Sequence, residues 1–230
     1  MKTGSSILLI ALVLAACTKA DNAPAADSAA PVVAPSADSD PDRNAGGGSV
    51  PAGYTARTDK ADTPITGAGY TANGDKWEVK TGPAHIVYSD KTMGNGNYTA
   101  SATIKQLEAP THPEAFGIFI GGRDLDKPTQ TYTYFIVRGG GEMLVKVREG
   151  DKTRDVIKWT ASADVPKADA AGKATYALSA QVTNDAVRFS INGKQVGSVS
   201  KAGLPTDGIA GLRINHNLHL NVTPVAVKTP

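Results

Sequence analysis

The sequence is poor in cysteine and histidine and carries almost no net charge. Its 230 residues include one cysteine, Cys17, and four histidines. A single cysteine cannot close an intrachain disulfide, so no disulfide framework holds the fold. Lys and Arg number 24 against 22 Asp and Glu, which leaves no electrostatic footprint for nucleic acid. No Gly-rich loop leads into a helix, so the sequence predicts no nucleotide site and no cofactor.

Aromatic residues are absent from the first part of the chain, since the two Trp, seven Tyr and four Phe all follow Gly53. Residues 18–50 consist mainly of Ala, Pro, Asp, Ser and Gly, and cannot bury enough apolar surface to offset the entropy of ordering. Four prolines also oppose a helix there. We expect residues 17–53 to form a disordered tether about 30 Å long, followed by one domain over residues 54–230.

The N-terminus has the layout of a secretory signal peptide. Lys2 precedes the apolar run ILLIALVL, which is far shorter than the roughly 20 residues that span a bilayer. Leu14-Ala15-Ala16-Cys17 resembles the bacterial lipobox. This resemblance implies cleavage of residues 1–16 and lipidation of Cys17, which would anchor the protein to a membrane. With Thr18 after the cysteine, we expect a location in the bacterial cell envelope, at the outer membrane.

Residues 54–230 show no long helical periodicity. Short segments rich in Val, Ile, Thr, Tyr and Phe alternate with turn residues, which predicts an all-β sandwich of antiparallel sheets. Asn192-Gly193 predicts a type I′ hairpin with Val187, Phe189 and Ile191 facing inward, Phe189 opposite Val196 and Val187 opposite Ser198. Further strands are predicted at 76–79, 85–88, 98–107, 116–122, 131–138, 142–148, 156–159, 175–182, 209–214 and 218–227. Only residues 165–173 have mild helix character.

Five segments resemble the concanavalin A-like lectin/glucanase superfamily, and most nearly its 3-keto-disaccharide hydrolase-like domain family. They are GDKWEVKTGPAHIVY, NYTASATI, AFGIFIGG, ATYALSAQVTNDAVRFSINGKQV and GIAGLRINHNLHLNVTPVAV. The resemblance implies a jelly roll of two antiparallel sheets, one face of which binds sugar in many relatives.

No catalytic residue is predicted. Family-16 glycoside hydrolases of this fold carry Glu-x-Asp-x-x-Glu on one strand, and this chain has no such motif. The nearest acidic spacings, Glu149 with Asp151 and Asp124 with Asp126, fall in predicted loops, although two acids from different strands remain an open route. Asp124 and Asp126 are weak calcium candidates, because calcium prefers oxygen ligands.

Ligand-binding candidates come from strand alternation. In TYTYFIVRG, Tyr132, Tyr134 and Arg138 share one face, where aromatic rings would stack on sugars and Arg would donate to hydroxyls. The alternative is that both tyrosines belong to the packed interior. Arg148 also points outward, either into a groove or to solvent, and Arg123 is expected to join Arg138 from a neighbouring strand. Trp159 is interpreted as either a core residue or a stacking residue at the rim.

The stretch GLRINHNLHLNV contains His216 and His219. Side chains three apart on a strand point to opposite faces, so no metal site is predicted there. We expect a turn at His216-Asn217 and a last strand whose alternation shifts at Pro224. His219 then faces outward and is a ligand candidate.

Together these features predict a lipid-anchored envelope lipoprotein with a lectin-like sandwich that binds carbohydrate. Two alternatives remain. One is a structural or protein-interaction lipoprotein of the envelope, and the other is a glycoside-processing enzyme of the 3-keto-disaccharide hydrolase-like type.

Overall fold

The computed structural model describes residues 49–60 and 64–230. The predicted signal peptide, Cys17 and most of the predicted tether lie outside the described residues. The described part contains fifteen strands, one short 3-10 turn (Ile65–Gly67) and no α-helix. The strands are β1 (Thr55–Thr58), β2 (Ala68–Asn73), β3 (Lys76–Thr81), β4 (His85–Gly94), β5 (Tyr98–Gln106), β6 (Ala115–Arg123), β7 (Thr131–Arg138), β8 (Glu142–Glu149), β9 (Lys152–Ala161), β10 (Ala174–Val182), β11 (Ala186–Ile191), β12 (Lys194–Ser200), β13 (Gly208–Ile214), β14 (Leu218–Val222) and β15 (Ala226–Lys228).

The strands form two antiparallel sheets. Sheet A has the order β1-β4-β13-β6-β7-β8-β9, and sheet B has the order β12-β11-β10-β5-β14-β3-β2, with β15 also paired to β5. Several neighbours in each sheet are distant in sequence, so neither sheet is built from one continuous segment of the chain.

The core lies between the sheets and is built from alternate residues of the central strands. Phe116 on β6 meets Tyr176 on β10 with ring centroids 5.3 Å apart, and Phe135 on β7 meets Phe189 on β11 at 5.0 Å. All four side chains are fully buried. Because each pair joins one sheet to the other, these aromatic contacts fix how sheet A packs on sheet B.

The two outer faces differ. On sheet B the outward residues of β5 and β10 are polar or small and at least partly exposed, as in Thr99, Ser101 and Ser179. On sheet A, by contrast, β6 and β7 are buried on both sides almost throughout. A second apolar cluster containing Tyr88, Phe119 and Tyr132 lies on its outer face. The outer face of sheet A is therefore the side on which chain segments and side chains assemble a site.

The predicted hairpin at Asn192-Gly193 is present, with both residues at positive φ, and Val187, Phe189 and Ile191 are buried. Its predicted register is wrong beyond the first two pairs. Phe189 lies opposite Gly197 and Val187 opposite Val199, because a bulge between Phe189 and Ser190 shifts the partner strand by one residue.

The end of the chain follows the expected break at Pro224. β14 pairs with β5 at Gln106 to Ile104, and β15 resumes the pairing at Ser101 to Thr99. Between them Thr223 keeps contact with Thr103 through two hydrogen bonds of 2.9 Å. Residues 165–173 form turns and irregular chain, not a helix, and Val165 there is buried in the core.

Candidate functional site

The strand register places most of the predicted ligand residues on the outer face of sheet A. Tyr132 lies opposite Arg148, Tyr134 opposite Lys146, and Arg138 opposite Glu142. Residues directly opposite one another in an antiparallel pair share a face. The row therefore runs along β7 and β8 from Tyr132 and Arg148 at one end to Arg138 and Glu142 at the other.

Both tyrosines of this row are buried, with only 1% of Tyr132 and 7% of Tyr134 exposed. Tyr132 packs against Phe119 at 5.1 Å and against Tyr134 at 5.7 Å between ring centroids. Burial raises the pKa of Tyr134 to about 12. The ring faces are thus occupied by other rings, as in the alternative interpretation, and the tyrosines form the floor of the face rather than an open stacking surface.

Two arginines, Arg148 and Arg213, contact Asp59 at the Tyr132 end of the row. A third, Arg57, acts with them on the Tyr132 hydroxyl, and Arg57, Arg148 and Arg213 are called the arginine cluster. Arg213 donates to both carboxylate oxygens of Asp59, at 2.8 and 2.6 Å, and an Arg148 nitrogen lies 3.5 Å from that carboxylate. Arg213 also lies over the Tyr134 ring, 5.9 Å from its centroid. Sequence reasoning missed Arg57, Asp59 and Arg213. The alternation of Arg213 between Leu212 and Ile214 was a usable signal, but nothing in sequence linked it to Asp59.

The Arg138 end of the row is more open. The Arg138 guanidinium stacks over the Trp159 ring at 4.5 Å, and its Nε donates to Glu142 at 2.5 Å. Trp159 is 38% exposed, so it is a rim residue rather than a core residue. β9 has a bulge opposite Leu144, where regular pairing would place a single residue and the strand has two, Lys158 and Trp159. This bulge turns the indole of Trp159 to the outer face of sheet A.

A cavity of about 460 Å³ adjoins this end and is called the end cavity. It is lined by the loop 109–114, by Gly139 and Gly140, and by the side chains of Gln106, Arg138 and Glu142. Gln106 is buried and donates to the Gly172 carbonyl at 2.6 Å, which leaves its Oε1 without a partner. Glu114 accepts from Asn215 and pairs with His216 at 2.8 Å. The end cavity thus combines apolar walls with carboxylates and a guanidinium, as small polar ligands require.

Arg123 does not join Arg138, contrary to expectation. Arg123 pairs with Thr131 and Arg138 pairs with Ala115, so the two arginines stand at opposite ends of neighbouring strands. Arg123 instead donates to the Asp207 carbonyl at 3.0 Å. The expectation failed because β6 and β7 run antiparallel, so the end of one lies beside the start of the other.

The histidines bind different carboxylates. His216 lies in the turn beside Glu114, whereas His219 is on the outer face of sheet B, with Nε2 2.7 Å from Glu78 and Nδ1 3.3 Å from Glu108. His219 is therefore on the opposite side of the sandwich from the Tyr132 row. In the weak calcium loop, Asp124 pairs with Lys127 at 3.0 Å. Across residues 49–60 and 64–230 no group of three or more His, Cys, Asp or Glu is arranged to hold a metal ion.

In the same described ranges no helix is long and apolar enough to cross a membrane. The chemistry that the outer face of sheet A offers is hydrogen bonding, ion pairing and stacking.

No family model and no curated protein sequence matches the chain. Solved structures do match its fold. The carbohydrate binding module CBM66 from Bacillus subtilis is similar with a TM-score of 0.55 and 12% identity, over 77% of this chain and 96% of that chain. A Bacillus subtilis protein of unknown function with a galectin-like fold gives 0.54 and 13%, over 76% and 89%. A Bacteroides ovatus GH16 enzyme from a mixed linkage glucan locus gives 0.51 and 10%, over 76% and 94%.

These likenesses concern the fold alone, because the identities are low. They confirm the predicted class, an all-β concanavalin A-like jelly-roll sandwich of two antiparallel sheets. The narrower resemblance to the 3-keto-disaccharide hydrolase-like family has no matching family model behind it.

Proposed function

We propose that this protein binds carbohydrate on the outer face of sheet A, with Trp159 as the exposed stacking residue. The observation that carries the proposal is the position of this indole. It is exposed, held by the Arg138 guanidinium, and set beside the end cavity with its polar side chains. An aromatic ring next to charged hydrogen-bonding groups suits a sugar, which has apolar C–H surfaces and polar hydroxyls.

The fold supports this reading. One similar structure is named as a carbohydrate binding module, and another, with a TM-score of 0.52 and 8% identity, as the carbohydrate recognition domain of Emp46p. A shared fold does not transfer an activity, so the proposal depends chiefly on Trp159 and its neighbours.

The test is a Trp159→Ala variant titrated with neutral oligosaccharides, acidic oligosaccharides and peptidoglycan fragments, with binding followed by calorimetry. Loss of one stacking ring is expected to weaken binding about tenfold. Trp159→Phe should keep part of the affinity. Met93→Ala is the matched control, because Met93 is the other exposed large apolar side chain of the described residues. No binding of wild type to any of these glycans would overturn the proposal.

We further propose that the sandwich is anchored in the bacterial envelope, at the outer membrane, through lipidated Cys17. The support is the run ILLIALVL followed by Leu14-Ala15-Ala16-Cys17. Cys17→Ser should abolish incorporation of labelled fatty acid and release the protein from membrane fractions. Unchanged labelling in that variant would contradict the anchor. Crosslinking to a protein partner in cells, without any glycan binding, would favour the structural or protein-interaction alternative.

A glycoside-processing enzyme remains a second candidate because two carboxylates from separate segments of the chain line one cavity. Glu114 precedes β6 and Glu142 begins β8, and both border the end cavity. The hydrogen bond from Arg138 lowers the pKa of Glu142, so this group suits a base better than an acid. Incubation with 3-keto-glucosides, using Glu142→Gln as the control, tests this candidate. Substrate turnover equal in wild type and variant would rule out this site.

A further inference from the structure

The arginine cluster carries an excess of positive charge on the outer face of sheet A. Arg57, Arg148 and Arg213 contribute three positive charges, and Asp59 is the one described carboxylate within 4.0 Å of their nitrogens. All four charges act on the Tyr132 hydroxyl. Burial chiefly raises its pKa, the arginines lower it, and Asp59 raises it. The four groups therefore lie close enough to influence the same hydroxyl on this face.

Several N–H donors of the arginine cluster have no charged acceptor in the described part of the chain. Among the described residues, Arg57 donates to two main-chain carbonyls, those of Leu125 at 2.9 Å and Lys127 at 2.5 Å. The Nε of Arg148 donates to the Gly150 carbonyl at 2.9 Å, and the buried Nε of Arg213 has no acceptor. Carbonyl oxygens carry only partial charge, so they do not neutralise a guanidinium as a carboxylate does. The cluster retains capacity for a further anion.

Asp59 is more exposed than the two arginines that it pairs with. Its side chain is 29% exposed, compared with 11% for Arg148 and 8% for Arg213. Solvent therefore reaches Asp59 more than these two arginines, and its carboxylate occupies the position against Arg213 that an incoming carboxylate would take. Guanidinium forks match carboxylates in a bidentate geometry, as the two bonds from Arg213 to Asp59 already show.

We propose that the arginine cluster recognises the carboxylate of an acidic sugar, with Asp59 acting as an internal competitor for that position. The inference rests on the proposed carbohydrate binding by this face. Arg138 lies six positions after Tyr132 on β7, about 20 Å along the strand. An extended oligosaccharide with its acidic unit at the cluster would therefore reach Trp159 at the other end of the row.

The test compares hexagalacturonate with cellohexaose, a neutral probe of equal length, by calorimetry at low and high salt. Wild type should bind hexagalacturonate more tightly, and added salt should weaken that binding alone. Arg148→Gln should weaken it about tenfold, since it removes one charged hydrogen-bonding partner. Asp59→Asn should strengthen it about tenfold, because the competing charge is gone and a bonding oxygen remains for Arg213. If Asp59 only stabilised the fold, Asp59→Asn would not raise the affinity for hexagalacturonate.

Arg188→Gln is the matched control, since Arg188 lies on sheet B, on a strand that does not touch this face. It removes the same charge and should leave affinity unchanged. If Asp59→Asn does not fold, the salt dependence and Arg148→Gln decide the question. Equal or tighter binding of cellohexaose would overturn the acidic specificity while leaving carbohydrate binding intact. Failure of both probes and of every other glycan would overturn both proposals.

Discussion

Arg138 holds Trp159 and Glu142 together through one guanidinium group, and removing that group tests both contacts. Its guanidinium covers the indole at 4.5 Å and bonds the carboxylate at 2.5 Å, and this bond lowers the pKa of Glu142. Arg138→Met keeps a long apolar stem but removes the donor. We expect the pKa of Glu142 to rise toward the ordinary range of a glutamate, as followed by NMR of its carboxyl carbon.

The same variant should shift Trp159 fluorescence to the red, because the indole loses its cover. Arg154→Met serves as the control, since it removes an arginine of β9 that contacts Glu149 on β8, whereas the arginine over Trp159 is Arg138. An unmoved Glu142 titration in Arg138→Met would show that the ion pair is not formed in solution. Thermal stability should change little, because both partners are partly exposed.

At this scale strand alternation was enough to place Tyr132, Tyr134 and Arg138 on one face, as the register with β8 shows. Alternation could not show that both tyrosines are buried, because their cover comes from residues distant in sequence, Phe119 among them. It also could not place Trp159, since the bulge in β9 breaks the period of two on which the reading depends. Pairs such as Arg213 with Asp59 join residues 154 positions apart, and no local pattern reports them.

The β11–β12 hairpin depends on contacts beyond its two turn residues. Asn192 has φ 50°, which suits the turn, and its side chain also bonds β10 by accepting from the Ala177 N–H at 2.8 Å and donating to the Thr175 carbonyl at 3.3 Å. Asn-Gly predicted the turn from local preference alone. The bonds to β10 and the bulge at Phe189 depend on tertiary pairing and could not be read from the hairpin itself.

Asn192→Ala should therefore destabilise the protein more than Asn192→Gly. Glycine tolerates the positive φ and loses only the two side-chain bonds, at a cost of about 1 kcal/mol, whereas alanine also pays for the left-handed backbone, about 2 kcal/mol in all. Urea unfolding of the two variants measures the difference. Asn184→Ala, in the neighbouring turn, should have almost no effect. Equal costs for alanine and glycine would mean that the backbone conformation contributes nothing.

At the scale of the whole molecule, a buried polar contact joins the two sheets in addition to the aromatic core. His85 on β4 of sheet A is fully buried, and its Nε2 lies 2.5 Å from the Tyr70 hydroxyl on β2 of sheet B. Its Nδ1 donates to the Pro83 carbonyl at 2.9 Å, so Nε2 is the acceptor and the ring is neutral. Composition and alternation predicted two sheets with an apolar interior, but they gave no sign that a histidine lies inside it.

This histidine makes stability depend on pH in a defined direction. Burial lowers the pKa of His85 from 6.5 to about 4, so between these values the unfolded chain binds a proton that the folded protein does not. The contribution of this group to the free energy of unfolding is therefore fully present above pH 6.5. It falls by about 3 kcal/mol as the pH drops toward 4.

Urea unfolding at several pH values should show this loss in wild type and much less of it in His85→Gln, measured relative to each variant at pH 7. His112→Gln, which changes an exposed histidine, should follow wild type. Parallel curves for wild type and His85→Gln would show that His85 is not the group whose protonation unfolds the sandwich.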